Sequence, residues 1–136
     1  MAGHRVLRAA NAPDYSGGDA SPFRGYGGPL GAEQLSLNVR ELAPSATNVP
    51  PGQSPTGGHA HRTIEEIYFV LEGEVTVKLD DEIVTLGRHD AVLIPPETVR
   101  MARNRTDQPA ILLMLSPRLD DMRSESIWHA DFWPQE

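Results

Sequence analysis

Short apolar runs, cut at close intervals by turn signals, constrain this chain more than any other feature. Residues 67–71 form an apolar run that halts at Glu72-Gly73. Residues 74–79 put Val75, Val77 and Leu79 on one face and stop at Asp80-Asp81, and residues 82–86 return as a hairpin partner. After a turn at 87–90, the short apolar run 91–94 ends at Pro95-Pro96. Residues 98–103 extend again, and 104–109 turn. Residues 110–115 are continuously apolar, as in a strand buried on both faces, until Ser116-Pro117 stops them. Upstream, residues 33–42 alternate with period two. Leu35, Leu37 and Val39 share one face and Gln34, Ser36, Asn38 and Arg40 the other, and we assign the apolar face to the interior. Twelve glycines and twelve prolines break the chain too often for a helical protein. Antiparallel hairpins at this spacing predict an all-β jelly-roll barrel, which closes most sheet edges.

A length of 136 residues fits one domain with a proper core. We expect an arm and loop over 1–32, a barrel over 33–116 and a tail over 117–136. In the arm, Val6 and Leu7 suggest a short edge strand, and Tyr15, Phe23 and Tyr26 are aromatics that pin the loop to the barrel or, as the second reading, line a pocket mouth or a subunit contact. Residues 44–58 form a long connection without a pattern of its own. In the tail, Asp120-Asp121 and residues 123–125 suggest a solvated turn or short helix. The aromatic stretch 127–134 should dock on its own barrel or across a dimer interface, because exposed aromatic surface is unfavourable. His129 reads as a surface histidine. A net charge of -7 argues against nucleic acid and anionic membranes as partners. No apolar run approaches the ~20 residues of a membrane span, and residues 1–10 lack the apolar segment of a secretory signal. Without cysteines there are no disulfides or thiolate metal sites. The expectation is a cytoplasmic protein, and a homodimer.

The chemistry concentrates between His59 and Gly73. His59 and His61 project to one side of an extended chain, since side chains alternate in a strand. Glu66 follows with four residues intervening, and Gly73 follows Glu66 with six intervening. Two imidazoles and a carboxylate on one concave surface suit a divalent transition metal, whether iron, manganese, zinc, nickel or copper. This spacing resembles the first motif of the cupin superfamily. The resemblance covers roughly residues 33–115 and implies a small double-stranded β-helix barrel. It selects Glu66 over Glu65 as ligand, with Tyr68 and Val70 facing inward beside it. A metal on His59, His61 and Glu66 leaves coordination positions open for a substrate.

The second motif of that superfamily is only partly matched. Pro95 and Asn104 fit, but His89 and Glu97 stand at its two glycine positions, and Arg100 where the resemblance implies a last histidine ligand. A guanidinium has no lone pair for a metal. Three arrangements remain open. A metal on three ligands leaves Arg100 to meet an anionic substrate, with Tyr68 as a polar neighbour. Alternatively no metal binds and Arg100 pairs with Glu66 in a ligand-binding lumen. In the third, Arg100 swings out to solvent. The expected function is a small-molecule cupin of metal-dependent oxygenase or isomerase type, or a metal-free ligand-binding one.

Overall fold

A computed structural model describes residues 3–16, 18 and 21–133; Met1, Ala2, Gly17, Asp19, Ala20 and residues 134–136 lie outside it, and with them parts of the expected arm and tail. The described residues form two five-stranded antiparallel sheets packed as a jelly roll. In one sheet the order is β1 (Phe23–Gly25), β2 (Leu35–Leu42), β9 (Ala110–Pro117), β4 (Glu66–Glu72) and β7 (Ala91–Ile94). In the other it is β10 (Ser126–His129), β3 (Gly58–His61), β8 (Arg100–Arg103), β5 (Val75–Leu79) and β6 (Glu82–Leu86). Two single-turn helices, α1 (Gly27–Leu30) and α2 (Met122–Glu125), sit outside the sheets. No described helix is long and apolar enough to cross a membrane.

Alternation along the strands builds the core. Tyr68 and Val70 from β4, Leu112 and Met114 from β9, and Val75 and Val77 from β5 interleave with Leu42, Ile94 and Ala102 between the sheets. Each apolar side chain of this size contributes about 1.5–3 kcal/mol when buried. Asn104 fastens the turn after β8. Its Nδ2 donates to the Leu42 carbonyl at 3.0 Å, and its Oδ1 accepts from the Thr106 amide at 2.9 Å.

Two expectations are corrected. The alternation of β2 is real, but its assigned sense is reversed. Leu35 is 60% exposed, while Arg40 and Leu42 are buried and Asn38 faces the lumen. The reason is that the outer face of this sheet is itself apolar: Leu37 lies opposite Leu115 and Val39 opposite Leu113. With apolar residues on both faces of the sheet, alternation in one strand does not tell inside from outside. Arg40 tolerates burial by stacking its guanidinium 5.3 Å from the Phe23 ring centroid. Val6 and Leu7 form no strand; the short edge strand is β1, paired with β2. Beyond residue 117, α2 is the short helix, one of the two readings for residues 123–125, and β10 pairs with β3 as a strand of the barrel.

His89 and Glu97, at the two positions where the motif has glycine, both adopt left-handed backbone, with φ of 69° and 70°. The barrel keeps the glycine-type turn and carries the strain of a Cβ there, on the order of 1–2 kcal/mol per residue. Glu97 is exposed, and its amide donates to the His61 carbonyl at 2.7 Å, a bond that glycine would keep. Glu97→Gly should therefore raise stability by about 1 kcal/mol, a gain of a few degrees in Tm. Thermal melts of the two proteins check this.

Candidate metal centre

The two histidines sit on β3, which is held between two strands. On one side His59 lies opposite Arg100 of β8. On the other, His59 lies opposite Trp128 and His61 opposite Ser126 of β10. The extended chain places both imidazoles on the same face, with ring centroids 5.0 Å apart and near perpendicular. Glu66 begins β4 across the lumen. One ligand atom from each of His59, His61 and Glu66 can be chosen so that all three lie within 4.8 Å of one another.

The surroundings prepare these groups as donors. Burial pushes His59 down from 6.5 to about 3, and the nearby charges of Arg100 and His61 add to the effect. Its imidazole is neutral at pH 7 and keeps a lone pair. The Trp128 ring lies 4.8 Å from the His59 ring. Ser126 Oγ lies 3.4 Å from His61 Nδ1, which leaves His61 Nε2 pointing to Glu66 Oε1 at 3.5 Å. That carboxylate oxygen also lies 3.4 Å from an Arg100 terminal nitrogen. Glu66 Oε1 and that nitrogen are both buried without a hydrogen bond. An orphaned carboxylate oxygen beside two imidazoles fits a divalent cation in donor type and placement.

Arg100 is fully buried and does not swing out. Its other terminal nitrogen donates to the Thr98 carbonyl at 3.0 Å and the His59 carbonyl at 3.4 Å, so the guanidinium is tied to the backbone behind Glu66. Tyr68 is equally buried, and its hydroxyl accepts from Asn48 Nδ2 at 3.3 Å. Desolvation, then the Glu66 charge, push its phenol well above the ordinary range, so it stays protonated.

A cavity of about 160 Å³ opens on the three donors. Tyr68, Asn38, Asn48, Ser116 and Ser126 give it a polar lining, and Phe23, Pro50, Met114, Met122 and Trp128 an apolar one. Arg100 is not among the lining residues. Of the other sequence candidates, Glu65 is exposed, as alternation implied. His89 stacks on Phe69, at 5.9 Å between centroids, and His129 is exposed. Neither joins the site.

Sequence reasoning missed the contribution of residues 122–128. Asp121 caps α2, accepting from the Arg123 and Ser124 amides, and this delivers Glu125 to the barrel. Glu125 accepts hydrogen bonds from the Thr63 amide and hydroxyl and from the Ile64 amide. It thereby clamps the turn that separates His61 from Glu66. An acidic residue among Arg, Ser and Ser carries no local mark of burial; only the Asp121 cap was a readable signal. The Thr63 amide holds the Glu125 carboxyl below the usual carboxylate range, against the opposing effect of burial, with the Thr63 hydroxyl and Ile64 amide adding to it. A depressed folded-state value means stability that is present above about pH 4.5 and lost as the pH falls through the lower folded value. Glu125→Gln should lower Tm at pH 7, and the gap from wild type should close as the pH drops below about 4.5. Melts from pH 3 to 7 read this out.

A family model described as Cupin domain matches residues 46–116. An uncharacterized protein of Methanocaldococcus jannaschii is 37% identical over 71 residues, 52% of this chain, and the match spans only 57% of that protein. A Mycobacterium tuberculosis protein named β-D-galactosidase is 31% identical over 114 residues, covering 81% of this chain and 90% of the relative. Among solved structures, a sugar phosphate isomerase of a cupin superfamily from Silicibacter pomeroyi superposes with a TM-score of 0.65 at 20% identity, over 86% of this chain and 82% of that one. That likeness concerns the fold. With two antiparallel sheets enclosing the matched segment and His59, His61 and Glu66 converging inside it, this chain belongs to the cupin family.

Proposed function

We propose that the chain is a small-molecule cupin enzyme that works with a divalent metal held by His59, His61 and Glu66. The observation that carries this reading is the convergence of three donor groups within 4.8 Å at the floor of one cavity. Bound there, a metal supplies Lewis acidity toward a substrate oxygen. The remaining work belongs to the chain. Asn38, Asn48, Ser116 and Ser126 offer hydrogen bonds to an oxygen-rich ligand, and Trp128 and Phe23 give it apolar walls. Tyr68, protonated and fixed by Asn48, has one polar atom at the cavity wall and orients the ligand. Among the described residues, the cavity lining holds no Lys or Arg. An anionic group of the substrate therefore meets the metal's charge, and Arg100 acts through Glu66, which it holds in place. The name of the Mycobacterium tuberculosis relative makes β-D-galactosides the first compounds to try. Glu66 is the sole carboxylate lining this cavity, so the two-carboxylate arrangement of most glycosidases is absent there among the described residues.

A second reading, a metal-free ligand-binding cupin, is favoured by one observation, the 3.4 Å approach of Arg100 to Glu66, in which the guanidinium takes the cation's place. Metal analysis of protein purified without a histidine tag separates the two. About one equivalent per chain after incubation with iron(II), manganese or zinc supports the enzyme reading, and none supports the binding module.

A further inference from the structure

His59 and His61 are supported in different ways. A metal-bound imidazole is ordinarily fixed by a hydrogen bond at its second ring nitrogen, which sets the orientation of the ring. His61 has a group placed for that bond, since Ser126 Oγ lies 3.4 Å from its Nδ1. His59 has none: among the described residues, no hydrogen bond reaches either nitrogen of its ring. It has a ring on each side instead. Trp128 lies directly opposite it in the β3–β10 pairing, with ring centroids 4.8 Å apart and planes tilted by 32°. That spacing is within the range of a favourable aromatic pair. The His61 ring meets it edge-on, 5.0 Å away at 81°.

We propose that Trp128 is the positioning residue of His59: the face of its indole, in place of a hydrogen bond, holds the imidazole in the orientation that turns a nitrogen toward His61 and Glu66. The use of this restraint rests on the metal reading given above; the restraint itself is present without a metal. A plain apolar wall at position 128 would be served by any large side chain. A leucine, for example, fills space but offers no flat face, and the second torsion of a histidine is soft, so the imidazole beside it is free to turn. Only a stacked ring opposes that rotation.

Trp128 holds His59 only while β10 stays in place, and β10 is an edge strand of four residues with β3 as its one neighbour in the sheet. The chain is fastened on both sides of it. Upstream, Glu125 accepts from the Thr63 and Ile64 amides. Downstream, the Phe132 and Trp133 amides both donate to the Thr56 carbonyl at 2.9 Å. Lys78 donates to the Phe132 carbonyl at 2.8 Å, and its ammonium lies 4.4 Å from the centroid of the Phe132 ring. The Arg103 guanidinium lies 5.3 Å from the centroid of the Trp133 ring. Phe132 also packs on Gly58, the first residue of β3, so closely that a Cβ there would come within 2.5 Å of its ring. Trp128 is 39% exposed, yet these bonds keep its backbone against the strand that carries both histidines.

The test compares Trp128→Leu and Trp128→Phe with wild type, as untagged chains whose fold is checked by far-ultraviolet circular dichroism. Zinc affinity, measured by competition with a chromogenic chelator, should fall about 10–100-fold in Trp128→Leu, the usual cost of losing the support of a metal ligand. It should stay near wild type in Trp128→Phe, which keeps a flat ring. On a His59→Ala background, Trp128→Leu should cost little more, because the ring it positions is gone. An equal loss in both backgrounds makes Trp128 a general structural residue and overturns the proposal, as does unchanged affinity in Trp128→Leu. Trp128→Met, also without a flat ring, takes the place of Trp128→Leu if that variant does not fold. A wild type that binds no zinc defeats the metal reading alone, and carbon-13 relaxation of the histidine rings then decides the positioning role. The His59 ring should be rigid in wild type and Trp128→Phe and mobile in Trp128→Leu, with the His61 ring unchanged. A His59 ring of the same mobility in all three proteins overturns the proposal.

Discussion

Arg100→Met is expected to lower stability by about 3–5 kcal/mol, the cost of leaving a buried carboxylate without its cation. For a chain of this size that is a fall in Tm of roughly 10–20 °C. Arg100 is fully buried, and Glu66 is 8% exposed, so solvent does little to screen the change. The substitution also removes a donor to the Thr98 carbonyl. Two further measurements show whether the Glu66–Arg100 contact is the cause. Glu66→Gln/Arg100→Met removes both charges and should recover a substantial part of the loss, since a double replacement leaves no buried unpaired charge. Adding zinc or manganese to Arg100→Met should raise its Tm more than that of wild type, because the metal then supplies the only positive charge beside Glu66. A loss below about 1 kcal/mol would mean that the 3.4 Å contact contributes little.

The second large effect concerns the metal. His59→Ala/His61→Ala should lose bound metal altogether while keeping the fold. Structural sites with four ligands bind zinc with about 10–16 kcal/mol, so each ligand contributes on the order of 3 kcal/mol and two ligands roughly five orders of magnitude in affinity. His59 packs on Trp128 and meets His61 edge to face, and neither imidazole belongs to the main core, so the barrel should tolerate their truncation. Stoichiometric metal persisting in the folded double variant would remove His59 and His61 as ligands.

Much of the fold was legible because a strand has a period of two and its breakers are chemically distinct. Val75, Val77, Tyr68, Val70, Leu112 and Met114 are buried in the pattern that alternation implies, and turns fall at Asp80-Asp81 and Pro95-Pro96. Where alternation had no second cue it gave the wrong face. In β2 the apolar residues point outward, and nothing local to residues 33–42 records that the outer surface of the sheet is apolar too. In the arm the aromatics divide between the two readings the sequence allowed: Phe23 lines the cavity, while Tyr15 packs on its edge at 6.4 Å and is largely exposed.

At the site, the sequence alone determined which residues stand together. His59, His61 and Glu66 are close in the chain, and strand geometry with one intervening turn is enough to bring them to one side of the lumen. It also determined that Arg100 could not be a metal ligand, since that is a property of the guanidinium. Only the tertiary structure decided where Arg100 points and what encloses the donors. Arg100 faces Glu66 because β8 pairs with β3, forty-one residues away in sequence. Ser126, Trp128 and Glu125 reach the site because β10 pairs with the far edge of β3. Such contacts depend on which strands become neighbours, and that is settled by closure of the whole barrel rather than by any local pattern of residues.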